Sequence, residues 1–94
     1  MNNVKNISIN QGSHVIGCAR EGDYDAGGQI LSIQGIAWQV NPLKLLHRDA
    51  LPRHRVNVTF QDDRGKSFQG TMTVEWINIE NTSNLFRGAI PDFC

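Results

Sequence analysis

Residues 56–76 read VNVTFQDDRGKSFQGTMTVEW. Val56, Val58 and Phe60 alternate with polar residues, and Phe68, Met72, Val74 and Trp76 do the same on the return. A period of two places all the apolar side chains of a strand on one face, so each half reads as a strand with one buried side. Between the halves, Asp62-Asp63-Arg64-Gly65 supplies turn residues, and the whole stretch predicts a β-hairpin.

Downstream, Ile77 and Ile79, a polar turn from Asn81 to Asn84, then Leu85, Phe86, Ala89 and Ile90 predict one more strand. Upstream, NPLKLLHRDALP carries helix punctuation: Asn41 can cap, Pro42 suits the first helical position and Pro52 stops the run. Leu43, Leu46, Ala50 and Leu51 form its apolar stripe, with Lys44, His47 and Arg48 facing outward. Before it, QILSIQGIAWQV places Leu31 and Ile33 at odd positions and Ile36, Trp38 and Val40 at even ones. The phase changes at Gly35, which predicts one long strand bent at a β-bulge. Val4, Ile7 and Ile9, then Val15 and Ile16, predict two short strands separated by the turn-forming NQGS. The fold class that follows is mainly β: a single domain over residues 1–94, built as a small antiparallel β-barrel or rolled sheet of five to six strands. One short helix near 42–51 closes an end.

Composition narrows the function. Ninety-four residues suffice for one core and not two. Nine Lys and Arg balance nine Asp and Glu, so the chain lacks the positive field that drives general nucleic-acid binding. No run approaches the roughly 20 apolar residues of a membrane span, and MNNVKNISIN has no apolar core of a signal peptide, which predicts a cytoplasmic protein. In that setting Cys18 and Cys94 read as ordinary thiols, and the glycosylation-like tripeptides at Asn6, Asn57 and Asn81 as chance matches.

REGDYDAGGQ, residues 20–29, packs three carboxylates and three glycines into ten positions. Asp23-x-Asp25 resembles the opening of a calcium loop, but the fifth position is Gly27 and the twelfth is Gln34, where a calcium loop needs an oxygen ligand and a bidentate Glu. The stretch therefore reads as an acidic glycine turn whose large side chain is Tyr24, with Asp23, Tyr24 and Asp25 as a secondary contact loop. His14, Cys18, His47, His54 and Cys94 could supply zinc ligands, but His14 and Cys18 lie about 13 Å apart along an extended strand. No metal or cofactor is expected. No phosphate loop, nucleophile elbow or acid–base constellation selects catalytic residues, so the sequence points to binding and away from catalysis.

One charge asymmetry stands out. Lys44, His47, Arg48, Arg53 and Arg55 crowd one segment, with His54 beside them and only Asp49 opposed in charge, a site suited to an acidic partner or an anion. RDALPRHRVNV, followed 26 residues after Arg55 by NTSNLFRGAI, resembles the PilZ domain, a β-barrel that binds cyclic di-GMP through arginines and a D/N-x-S-x-x-G motif. The resemblance implies that Arg53, Arg55, Asn81 and Ser83 hold a phosphate ligand. Phe86 stands at the motif's glycine, and Arg48 and Arg53 are one residue further apart than the family's R-x-x-x-R. The leading expectation is a non-catalytic protein that contacts a protein partner through the basic segment; the alternative is a PilZ-like module for cyclic di-GMP or a similar anion.

Overall fold

The alternation of residues 56–76 becomes the hairpin β5 (Arg55–Gln61) and β6 (Ser67–Asn78) in a computed structural model that describes residues 2–41, 55–78 and 83–93. Val56, Val58, Phe60, Met72 and Val74 are buried, as their period requires. Asp62 builds the turn: its carboxylate Oδ1 accepts from the Arg64 and Lys66 amides, each at 2.9 Å. Gly65 takes the left-handed φ of +83° that the turn demands.

The other strands are β1 (Asn2–Gln11), β2 (His14–Asp25), β3 (Ile30–Gln34), β4 (Ala37–Trp38) and β7 (Ser83–Arg87). Every pairing is antiparallel, in the order β1-β5-β6-β7-β3-β2, and β2 returns to pair with β1. The result is a closed six-stranded antiparallel barrel, with β4 as an extra strand on β2. Closure leaves no open edge among the six barrel strands, which removes a template for aggregation. The helix expected near 42–51 lies outside the described residues.

Strands of 12 residues, as in β2 and β6, cannot stay flat in so small a barrel, and β-bulges bend them. Asn6 and Ile7 of β1 oppose the single Phe60 of β5, with Asn6 at φ +53° and its amide donating to Gln61 Oε1 at 2.7 Å. Ile16 is the extra residue of β2 against β1, and Glu75 the extra residue of β6 against β7. Each bulge turns the following side chains to the opposite face. The buried residues are therefore Val4, then Ile7 and Ile9 on β1, and Met72 and Val74, then Ile77 on β6.

Two sequence expectations change here. Residues 29–40 do switch face at Gly35, but no residue is inserted: Asp23↔Ser32 and Gly17↔Trp38 keep one register along β2. Gly35, at φ +72°, instead breaks the run into β3 and β4. The second change concerns Trp76, which the alternation placed with Met72 and Val74. The bulge at Glu75 turns it outward, where it is 51% exposed, and Ile77 takes the inner position.

The chain after β7 crosses the barrel mouth and seals it. Ile90 is buried, and Phe93 meets Phe68 edge-on with ring centroids 4.9 Å apart. This crossing requires Gly88, because a Cβ there would lie 2.5 Å from the Thr71 carbonyl and 2.9 Å from Met72 Cα. Both are β6 backbone and cannot swing aside. Gly88→Ala is therefore expected to cost about 1–3 kcal/mol, the usual penalty of overpacking, seen as a lower urea midpoint at unchanged slope.

Candidate functional site

The interior is filled by apolar side chains, and no buried side-chain nitrogen or oxygen among the described residues lacks a hydrogen-bond partner. Sites of binding are thus on the outside. Of the basic segment, Lys44, His47, Arg48 and Arg53 lie outside the described residues. Arg55 is exposed at the start of β5, opposite Thr73.

The acidic stretch differs from its reading as a turn. Arg20 to Asp25 continue β2, and only residues 26–29 form the connection to β3. Asp25 caps that connection, its Oδ1 accepting from the Gly27 amide at 3.1 Å. Asp23 is exposed on the outer face of the barrel. Tyr24 is no surface contact: it is 2% exposed, because alternation along β2 turns it inward. Its hydroxyl donates to the Gly88 carbonyl at 3.0 Å and accepts from the Ile90 amide at 3.2 Å. It therefore holds the segment that closes the barrel mouth.

Of the residues that the PilZ resemblance singles out, Arg53 and Asn81 are outside the described residues. The other two are separated: Ser83 pairs with Asn78 at the start of β7, whereas Arg55 reaches β7 through Thr73 at Arg87, its other end. No group of three or more metal-ligating side chains forms among the described residues.

Outward positions on five adjacent strands line up instead. Trp76 pairs with Leu85, Leu85 with Ser32, Ser32 with Asp23, and Asp23 with Asn3. Two residues along the strands, Ser83 and Gln34 pair across β7 and β3, with Glu21 following on β2. Two recesses lie between the two rows. One, of about 270 Å³, lies over Ile33 and Asn84 against Trp76 and Leu85. The other, of about 370 Å³, lies over Gly22 against Glu21, Asp23 and Asn3. Ser32 and Gln34 line both.

The floor is firm. Asn84 is 3% exposed and its amide donates to the Ile33 carbonyl at 3.1 Å, tying β7 to β3 beneath the Trp76 recess. The bulge that aims Trp76 outward is latched by the Glu75–Arg87 ion pair at 3.3 Å and by Thr73 Oγ1 donating to the Arg87 carbonyl at 3.2 Å. Of the polar wall residues, Asn3, Glu21, Asp23, Ser32 and Gln34 make no side-chain hydrogen bond or ion pair with another described residue. Apart from Asp23 and Ser83, none of the residues lining these recesses was a candidate site residue in the sequence. The available signal was the spacing of three between Val74 and Ile77, which breaks the alternation where the bulge falls.

No family model, curated protein or solved structure matches this chain. No helix among the described residues is long and apolar enough to cross a membrane.

Proposed function

We propose that this protein is a small, non-catalytic, cytoplasmic binding module whose partner is a protein that docks on the outer face of the barrel at Trp76. The observation that carries this reading is the half-exposed Trp76, set on a strand at the edge of an outer recess that it shares with Leu85. Tryptophan is enriched among residues that dominate interface energies, since it buries a large area at little conformational cost. Ser32 and Gln34, which line the same recess, offer donors and acceptors to a partner without breaking bonds to other described residues first.

Affinity capture from source lysate, followed by titration of the captured protein, tests the reading. Trp76→Ala is expected to weaken that complex about 30-fold or more, while the melting temperature stays close to that of the parent. Arg55→Ala serves as the comparison, since Arg55 is also exposed. Loss of the complex in Arg55→Ala with full retention in Trp76→Ala would move the contact to the basic segment.

A further inference from the structure

We infer that residues 89–93 form a strap that opens as a unit while the barrel stays closed, and that its opening uncovers an apolar seat made of the Tyr24, Phe60 and Phe68 rings. This inference is independent of Trp76 and of the role proposed above. β7 ends at Arg87, and from Gly88 to Phe93 the backbone joins no strand ladder. Each of the six barrel strands has both of its neighbours without the strap, so lifting it breaks no ladder hydrogen bond. Segments that leave the main ladder intact are the ones that open below the free energy of global unfolding.

The strap has a pivot, a turn and a packed face. The Gly88 amide donates to the Gln29 carbonyl at 2.9 Å and fixes the pivot on the barrel. Beyond it, the Ile90 amide donates to the Tyr24 hydroxyl at 3.2 Å. The Phe93 amide turns back to the Ile90 carbonyl at 3.3 Å, a bond inside the strap that ties its two apolar side chains into one piece. Ile90 is buried over Gly70 of β6, where a Cβ would lie 2.7 Å from Ile90 Cδ1. Phe93 stands edge-on to Tyr24 at 5.1 Å, to Phe60 at 5.8 Å and to Phe68 at 4.9 Å.

Apolar burial is non-directional, so a seat that holds Ile90 and Phe93 accepts another apolar group once they leave. A way in exists already. A recess of about 450 Å³ beside the β5–β6 turn and the start of β1 reaches Phe68 and Phe93 from outside. Its rim carries Asp62, Asp63 and Asp92 as well as Arg64 and Lys66, so apolar area and not charge selects the occupant.

Native-state hydrogen exchange of the full chain in rising urea tests this inference. The Ile90 and Phe93 amides should show protection alike within about threefold, about 30-fold or more below that of the slowest β5 and β6 amides, and a shallower urea dependence, since only the surface of the strap is exposed. Exchange of both amides only with the barrel, at the barrel's urea slope, would overturn the inference. So would free exchange of Phe93 while Ile90 follows the barrel, which is fraying and not a unit. Ile90→Asp, which sets a charge in the apolar seat, provides the second measurement. The barrel strands should stay protected, Phe93 should lose protection, and 1-anilinonaphthalene-8-sulfonate fluorescence should rise about fivefold or more over the parent as the seat is uncovered. Trp76 is present in both proteins, so the rise reports the barrel mouth. Loss of protection throughout the barrel would make strap and barrel one cooperative unit and overturn the inference, as would a released strap with unchanged dye fluorescence.

Discussion

Tyr24→Ala is expected to lower the unfolding free energy by about 3–5 kcal/mol, a large part of what a domain of this size possesses. Tyr24 is almost fully buried, with its ring 5.9 Å from that of Phe60 and edge-on to Phe93 at 5.1 Å. Truncation removes that aromatic area and leaves a cavity beneath the segment that closes the barrel mouth. It also strands the Gly88 carbonyl and the Ile90 amide, which the hydroxyl satisfies together. Tyr24→Phe separates the two contributions: it keeps the ring and orphans the two backbone groups, for an expected loss of about 1–3 kcal/mol. Urea unfolding of the three proteins at a common pH measures both. A surface tyrosine would change stability by no more than about 0.5 kcal/mol in either variant, so near-parent midpoints would return Tyr24 to the outside of the barrel.

The second large effect belongs to Phe60. Its ring lies 6.1 Å from Phe68 and 5.8 Å from Phe93 in addition to Tyr24, so it contacts all three other rings, as Phe93 does, and of the two it is the fully buried one. Phe60→Ala is expected to cost about 3–5 kcal/mol through lost burial and an unfilled cavity. Phe68→Ala and Phe93→Ala should each cost less, because both side chains are only partly buried. Lys66, whose ammonium stands 5.2 Å above the Phe68 ring, covers part of that exposed side. Because the four rings share contacts, the double variant of Phe60 and Phe93 should lose less than the two single losses added together. Strict additivity in the same denaturation series would show that the rings pack independently.

Local chemistry made part of this architecture legible. The alternation of Val56, Val58 and Phe60, the turn carboxylate Asp62 and the positive-φ Gly65 are all properties of residues close in the chain, and they specify β5, β6 and the turn without reference to anything distant. The same local reasoning placed the face switch of residues 29–40 at Gly35 and yielded the small antiparallel barrel. It did not settle which face a strand shows after a bulge, because a bulge exists only against a partner strand. Trp76 points outward because β7 pairs with Val74 and Trp76 while skipping Glu75.

Tyr24 shows the same limit over a longer span. Flanked by Asp23 and Asp25 and followed by two glycines, it has the neighbours of a surface turn. Its hydrogen-bond partners are 64 and 66 residues further along the chain. Likewise, the walls of the two outer recesses come from β1, β2, β3, β6 and β7, and only strand pairing sets Asn3, Asp23, Ser32, Leu85 and Trp76 in one row. The sequence by itself determined strands, turns and fold class, since those follow from period and backbone preference. The tertiary structure alone decided which side chains meet, since register and face depend on strands that the chain brings together only when it folds.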